Sequence, residues 1–138
     1  MSLVLDSSAT LAWILGDDTT LALERVFNAI PERGAVVPCM WRLEVANCLT
    51  LARRRGRIDE PFRRAALADL NLLDIVVDAH TDANAWAETL ELAERFGLSL
   101  YAAAYIELAS RRALPLATLD AQMRAAGRGL GLRLLGVE

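Results

Sequence analysis

Short apolar runs alternate with helical stretches along the whole sequence, and this alternation restricts the possible folds more than any other feature. Four runs have the composition of buried strands and a fifth is weaker: residues 3–5, 35–37, 73–77, 116–119 and, more weakly, 133–135. They are mostly continuous, which is typical of a parallel sheet covered on both faces. The segments between them predict helices at 8–15, 20–30, 41–55, 61–71, 82–96, 100–112 and 121–126. Strands alternating with helices predict an α/β sandwich.

The length and composition predict a single domain spanning residues 1–138. A chain of 138 residues has room for one core, and no Ser/Gly/Pro-rich linker or repeat divides it. Its hydrophobic content of 54% excludes disordered and low-complexity proteins. Without a basic leader or a long uncharged apolar run, we expect a cytoplasmic protein with no membrane segment. Cys39 and Cys48 are too few for a disulfide scaffold, and we expect both thiols to be buried and reduced.

All 15 basic residues are arginine, and the net charge is −3. Genomic base composition is the first explanation for the missing lysine, and a functional use of arginine is the second. The negative total argues against coating of nucleic acid by bulk charge, but it leaves room for a local basic patch. Six arginines fall within twelve residues: Arg53, Arg54, Arg55, Arg57, Arg63 and Arg64. They form either a solvated face or a strip that contacts RNA phosphates, in which we expect the first four to bind RNA.

Three carboxylates are expected at one edge of the sheet. Asp6 and Asp120 end the first and fourth strands, and Glu44 lies in the first turn of the helix after the second strand. The carboxyl ends of parallel strands meet at one edge, where α/β proteins bind ligands. Clustered carboxylates repel one another unless a cation lies among them, and an oxygen-only set favours Mg²⁺ or Mn²⁺. Such an ion can activate water and polarise a phosphoryl oxygen, which predicts metal-dependent phosphodiester hydrolysis.

A purely structural explanation exists for each of these acids. Aspartate is a preferred helix N-cap, and both Asp6 and Asp120 stand just before predicted helices. Glu44 could interact only with its helix dipole. Their coincidence at one sheet edge is what favours a site.

Four separated segments resemble the PIN-domain family and, within it, the VapC toxins: LVLDSSA at 3–9, WRLEVAN at 41–47, LSLYAAAY at 98–105 and ATLD at 117–120. The resemblance covers nearly the full length and keeps the family's order and spacing. It implies a three-layer sandwich in which helices flank a central parallel sheet of about five strands. It also implies an Mg²⁺- or Mn²⁺-dependent endoribonuclease neutralised by a cognate VapB antitoxin. Further implications are tRNA or ribosomal RNA as substrate, and a homodimer that could join a larger toxin–antitoxin assembly.

The resemblance assigns roles to residues by position. Asp6, Glu44 and Asp120 match the family's catalytic, metal-binding acids. Asn47 matches a polar position near that site, and we expect Thr118 and Ser8 to support it.

The sequence departs from the family at Ala102, where similar toxins carry an aspartate of the metal site. Ser99 is the expected N-cap of this helix, and an acid three residues later would complete a capping box. Three explanations are open: an engineered substitution, a natural loss, or a displaced alignment. Under the first two, we expect weak metal affinity and little or no RNA cleavage.

Several aromatic residues have a simple packing interpretation. Trp13 and Trp41 are typical core or interface residues, although they could also line a groove that binds an apolar helix of an antitoxin. Tyr105 is interpreted as a packing residue.

Two other functions compete with the ribonuclease. A PIN-like module that has lost catalysis could bind RNA or protein instead. A divalent-metal phosphatase on a related sheet is weakened because no second aspartate closely follows Asp6.

Overall fold

A computed structural model describes residues 2–17 and 19–137 of the chain. Its elements, in chain order, are β1 (Leu3–Leu5), α1 (Ser7–Leu15), α2 (Leu21–Arg33), β2 (Ala35–Val37), α3 (Trp41–Arg54), α4 (Glu60–Leu72), β3 (Ile75–Val77), α5 (Thr81–Asn84), α6 (Glu88–Phe96), α7 (Leu100–Arg112), β4 (Leu116–Ala117), α8 (Ala121–Gly129) and β5 (Leu134–Leu135). The strands of the described residues form one parallel sheet in the order β3-β2-β1-β4-β5. The predicted α/β fold, a five-stranded parallel sheet flanked by helices, is therefore confirmed.

Strand β1 is the centre of the sheet because β2 and β4 pair with it on either side. Its residues are buried, and α7 packs across it. Continuous apolar sequence suits this position, since both faces of the strand are covered. Strand β3 lies at an edge of the sheet, and Val76 and Val77 are exposed. The prediction that helices cover both faces of the sheet is therefore wrong for this strand.

Local capping signals set several helix ends as predicted. Ser99 caps α7 by accepting a hydrogen bond from the Ala102 N–H (3.1 Å), and Gly97 ends α6 in the left-handed conformation (φ 63°). The single helix predicted at 82–96 is wrong, because residues 85–87 separate α5 from α6. Ala87 has a non-helical backbone (φ −119°, ψ −106°), and no proline or glycine marks this break in the sequence.

The cysteines differ from expectation in one respect. Cys39 is exposed because it lies in the turn between β2 and α3, whereas Cys48 is half-buried on α3. Both are free thiols. Within the described ranges, no helix combines the length and the hydropathy needed to cross a membrane.

A buried ion-pair network connects the end of β3 with α7. Arg111 donates to both carboxylate oxygens of Asp78 (3.2 and 2.7 Å) and to both of Glu107 (2.6 and 3.1 Å). Asp78 and Glu107 are only 5% and 3% exposed, so Arg111 compensates two buried charges at once. Burial alone would raise the pKa of Asp78, but hydrogen bonds from Arg111 and Thr81 outweigh it and leave this pKa below its usual range.

Candidate active site

Asp6 lies at the centre of a polar cluster beyond the carboxyl end of β1. It is 2% exposed, and its carboxylate accepts hydrogen bonds from Ser8 Oγ (2.8 Å), the Ala9 N–H (2.8 Å) and Thr118 Oγ1 (2.5 Å). The Ala9 contact is the N-cap of α1, so the capping explanation for Asp6 is confirmed. The two hydroxyl donors exceed what a cap requires. Capping and a role in a site are therefore compatible.

The environment of Asp6 disfavours its charged form. Burial raises the pKa of the Asp6 carboxyl from 3.8 to about 6, although the hydrogen bonds from Ala9, Thr118 and Ser8 lower it. The nearby charge of Asp120 raises it slightly further. A cation beside these two carboxylates would have the opposite effect, because it stabilises the ionised form.

We expect Asp6→Asn to remove a pH-dependent loss of stability. The pKa of Asp6 is higher in the folded chain than in the unfolded chain, so protonation of Asp6 stabilises the fold. This stabilisation is complete below about pH 4 and is lost as the pH rises through about 6. Between about pH 4 and 8, the free energy of unfolding should fall by up to roughly 3 kcal/mol more in the unaltered chain than in Asp6→Asn. Urea unfolding across this range, without divalent cations, measures the difference.

The control for this experiment is Asp69→Asn, which neutralises an exposed carboxylate on α4. Its unfolding free energy should follow that of the unaltered chain at every pH. Parallel curves for all three proteins would show that burial does not perturb Asp6 and would contradict the prediction.

Thr118 and Ser8 lie between Asp6 and Asp120. Asp120 caps α8 by accepting from the Met123 N–H (2.8 Å), and its own N–H donates to Thr118 Oγ1 (3.0 Å). Thr118 is fully buried and donates to Asp6, while Ser8 Oγ accepts from the Leu119 N–H (3.1 Å). These contacts hold the carboxyl ends of β1 and β4 together. The structure thus brings Asp6, Ser8, Thr118 and Asp120 into one cluster.

Tyr105 connects Glu44 with this cluster. Its hydroxyl donates to Glu44 Oε1 (2.5 Å), and the side chain is buried. Burial, this hydrogen bond and the charges of Glu44 and Asp6 raise the pKa of Tyr105 well above its usual range, so the phenol keeps its proton. Sequence reasoning interpreted Tyr105 as packing and missed this contact. The available signal was its spacing, because Tyr105 follows Ala102 by three residues and shares its face of α7.

The acids do not form a complete ligand set. Across residues 2–17 and 19–137, no three Asp, Glu, His or Cys side chains lie close enough to share a metal ion. Asp6 and Asp120 both contact Thr118, whereas Glu44 contacts Tyr105, whose pKa responds to the charge of Asp6. All of the candidate ligand atoms are oxygens, which are the ligands that Mg²⁺ prefers. Position 102, where the sequence resemblance predicts an acid, is occupied by the half-buried Ala102.

One of the predicted RNA-binding arginines approaches the cluster. Arg57 forms an ion pair with Asp17, and Asp17 lines a cavity of about 230 Å³ together with Ser8 and Asp120. Asn47 is exposed on α3, one turn beyond Glu44. The cavity therefore extends from the acidic cluster toward the arginines.

The other arginines of this region divide into two groups. Three are exposed and form no ion pair among the residues that the structure describes: Arg53, Arg54 and Arg55. Two have structural partners, since Arg63 donates to Thr50 Oγ1 (3.3 Å) and Arg64 pairs with Glu60 (2.9 Å). The arginine strip, defined as Arg53, Arg54, Arg55 and Arg57, therefore keeps three unpaired charges.

The two tryptophans line separate cavities. Trp13 is 36% exposed, stacks on Phe27 with ring centroids 4.3 Å apart, and lines a cavity of about 190 Å³ with Phe62. Trp41 is 3% exposed, and its indole N–H donates to Thr10 Oγ1 (3.2 Å). Trp41 forms part of the wall of a second cavity, of about 470 Å³, between α3 and α4. The expectation of one groove lined by both residues is therefore wrong, although α4 is a wall of both cavities.

Comparison with known proteins gives a match over nearly the whole chain. The model of the PIN domain family matches residues 3–129, which include Asp6, Glu44 and Asp120. Ribonuclease VapC3 of Pyrobaculum aerophilum is 30% identical over 123 residues, equal to 89% of this chain and 92% of that protein.

Solved structures share the same fold. The crystal structure of PAE2754 from Pyrobaculum aerophilum superposes with a TM-score of 0.66 at 22% identity, covering 97% of this chain and 83% of that chain. A toxin–antitoxin complex from Klebsiella pneumoniae gives a TM-score of 0.58 at 14% identity and covers 86% of each chain. At these identities the likeness concerns the fold.

Proposed function

Because this chain belongs to the PIN domain family, we propose that it is an endoribonuclease toxin of the VapC type, inhibited by a cognate VapB-like antitoxin. The proposed cofactor is Mg²⁺, with Mn²⁺ as the alternative, and the proposed substrate is a structured RNA such as tRNA or ribosomal RNA. Similarity to a relative named as a ribonuclease supports the activity. The shared fold with a protein of a toxin–antitoxin complex supports the partner. The proposal includes a homodimer.

The buried carboxylate of Asp6 beside Asp120 is the observation that carries this proposal. A buried acid with a raised pKa reduces folding stability at neutral pH, so chains rarely keep one without a function. Asp6 also stands at the carboxyl end of the central strand, where parallel α/β sheets bind ligands. An N-cap would need the Ala9 contact alone, whereas Ser8 and Thr118 orient this carboxylate further.

The residues around Asp6 have distinct roles in the proposed mechanism. Asp6 and Asp120, which both contact Thr118, would hold the cation, and Glu44 would have to move toward them to join, because no three acids of the described residues lie within reach of one ion. The bound cation would supply an activated water and would stabilise charge on the phosphoryl oxygen. Ser8 and Thr118 orient the Asp6 carboxylate by donating hydrogen bonds to it. Tyr105 orients Glu44 in the same way, and its raised pKa keeps the donated proton in place.

We propose that Ala102 impairs cleavage by this chain. Position 102 lies in the first turn of α7, on the helix face that reaches Glu44 one turn later through Tyr105. A methyl group there supplies no ligand to the cation. The same alanine favours a second candidate function, a catalytically inactive PIN-like module that binds RNA or protein, since no three acids converge within the described ranges.

Binding of RNA tests the proposal without depending on cleavage. Combining Arg54→Glu with Arg55→Glu should weaken the binding of a tRNA by roughly tenfold or more, because two phosphate contacts are lost. The slope of log affinity against log salt should also become shallower by about one to two. Fluorescence anisotropy with labelled tRNA at several salt concentrations measures both quantities.

The matched control for the strip is Arg112→Glu. Arg112 is exposed and, like Arg54, lies in the last turn of its helix, so Arg112→Glu and the single variant Arg54→Glu perturb a helix dipole in the same way. Its salt slope should equal that of the unaltered chain. An unchanged slope in the strip variant would remove the strip from the RNA interface, and absence of any RNA binding would contradict an RNA substrate.

The proposed antitoxin surface is centred on α4. This helix buries only Leu70, while Phe62, Leu67 and Leu72 are exposed. Exposed apolar side chains beside two cavities are typical of a surface that receives an apolar segment of a partner. We therefore place the docking of the antitoxin at the cavities lined by Trp13 and Trp41.

A further inference from the structure

A cavity of about 400 Å³ lies between α2 and the edge strand β5. Three of its polar residues, Ser2, Arg33 and Arg133, stand before β1, β2 and β5, at the amino edge of the sheet. The acidic cluster around Asp6 lies at the opposite, carboxyl edge. Strands of two or three residues separate the two edges by roughly 10 Å. The cavity, which we call the amino-edge cavity, continues along β5 to Gly136 and Val137, but it contains none of the acids of the candidate active site.

Three guanidinium groups line the amino-edge cavity: Arg25, Arg33 and Arg133. Within residues 2–17 and 19–137, none of them forms an ion pair or a side-chain hydrogen bond, and no acidic residue is among those that line the cavity. Arg124, by contrast, donates to two backbone carbonyls, and Arg111 to two carboxylates. Among the residues that the structure describes, the cavity thus combines three positive charges with no counter-charge.

A buried hydroxyl adds a further free donor to the same cavity. Ser2 Oγ is inaccessible to solvent and has no hydrogen-bond partner among the described residues. Buried hydroxyls are nearly always paired, and an unpaired one reduces stability. A bound anion would supply the missing acceptor once the Ser2 side chain rotates toward the cavity, because its Oγ is not accessible in the structure.

The spacing of the arginines allows them to act on one group. Arg25 and Arg33 are eight residues apart on α2, about 12 Å along the helix axis, so their long side chains can approach a ligand from both ends. Ala29 lies between the two arginines and Ala22 lies one turn before Arg25, and both line the cavity. Their small side chains do not fill it. Guanidinium groups bind phosphate oxygens in bidentate pairs.

The rest of the lining is apolar. Val26 on α2 and Leu134 and Leu135 on β5 form the walls opposite each other. A volume of about 400 Å³ lies within the range of small-molecule sites. A bare inorganic anion would leave these apolar walls without a partner.

We propose that the amino-edge cavity binds a small organic phosphate. Arg25, Arg33 and Arg133 bind its phosphate group, Ser2 Oγ donates to a phosphate oxygen, and its apolar part packs between α2 and β5. The proposal does not depend on RNA cleavage, since neither the three arginines nor Ser2 belongs to the acidic cluster around Asp6.

Titration of the ¹⁵N-labelled chain with phenyl phosphate, followed by NMR, tests this site. The largest shift changes should fall on the amides of Ser2, Leu3, Val26 and Leu135. Inorganic phosphate and phenol should each bind at least about tenfold more weakly, because each lacks one half of the recognised group. Arg25→Gln and Arg133→Gln should each lower the affinity for phenyl phosphate by roughly tenfold.

Two further variants separate the site from general effects. Arg112→Gln removes an exposed charge outside both the cavity and the arginine strip, and it should leave the affinity for phenyl phosphate unchanged. Ser2→Ala keeps all three arginines and should lower the affinity a few-fold, roughly the effect of one hydrogen bond.

Each alternative outcome would overturn the proposal. If Arg25→Gln, Arg133→Gln and the unaltered chain had equal affinities for phenyl phosphate, its binding would be adventitious. An affinity for inorganic phosphate equal to that for phenyl phosphate would reject the apolar part of the recognised ligand. Shift changes centred on the arginine strip would assign phosphate binding to the RNA surface instead.

Discussion

Ala102→Asp should raise the rate of RNA cleavage in Mg²⁺ by roughly a hundredfold or more, comparable with the effect of one charge-stabilising group in an active site. The Ser99 cap makes position 102 the third residue of α7, near the positive end of the helix dipole, which favours a carboxylate there. The new side chain would stand one turn before Tyr105, whose hydroxyl contacts Glu44. Because it adds an acid to the two carboxylates at Thr118 and to Glu44, the affinity for Mg²⁺ should rise by roughly tenfold or more.

Two measurements check this prediction: calorimetric titration with Mg²⁺ and Mn²⁺, and cleavage of a structured RNA. Leu100→Asp is the control, because it places the same charge in the same helical turn at an exposed position on another face. The double variant Ala102→Asp with Asp6→Asn should lose the gained activity, which excludes a contaminating ribonuclease.

The opposite results would favour the non-catalytic binding module. Equal metal affinities of the unaltered chain and Ala102→Asp would reject an arrangement of four acids. RNA cleavage by the unaltered chain that Ala102→Asp does not accelerate would show that position 102 is not the missing ligand.

Arg111→Ala should lower the free energy of unfolding by up to about 3 kcal/mol, the lower end of the loss for a buried ion pair broken from one side, because the Arg111 side chain is 26% exposed. Without Arg111, the carboxylates of Asp78 and Glu107 are left buried and charged. The loss should shrink at acidic pH, because unpaired buried carboxyls bind protons more readily. Urea unfolding at neutral and acidic pH measures both effects.

Arg112→Ala is the matched control, since it removes an exposed neighbour that has no ion pair within the described residues. We expect it to change the unfolding free energy by less than about 1 kcal/mol. If Arg111→Ala were no more destabilising than Arg112→Ala, the network would contribute nothing net to stability. Arg111→Ala combined with Asp78→Asn and Glu107→Gln should recover part of the loss, because no buried charge remains.

Local signals account for the elements that were predicted well. Helix α7 spans Leu100–Arg112 as expected, because Gly97 and Ser99 mark the preceding cap residues in the sequence itself. The break between α5 and α6 carries no such signal and was missed. The predicted strand at 73–77 begins only at Ile75, since pairing with β2 decides where the ladder starts.

Contacts between distant residues were beyond sequence reasoning. Tyr105 and Glu44 are 61 positions apart, and Arg111 and Asp78 are 33 apart. Neither pair follows from local periodicity, because their approach depends on how α7 packs across β1 and β4. Only the short-range half of the buried network, Glu107 with Arg111 at a spacing of four, could have been read from the sequence.

The sequence by itself determined the parallel α/β fold, the acids at strand ends and the absence of an acid at Ala102, because periodicity and motif order are properties of neighbouring residues. The tertiary structure decided how closely those acids approach. It placed Asp6 and Asp120 around Thr118 but put Glu44 in contact with Tyr105 instead. It also brought Arg25, Arg33 and Arg133 together with the unpaired Ser2 hydroxyl. These distances depend on the packing of helices against the sheet, which no local pattern specifies.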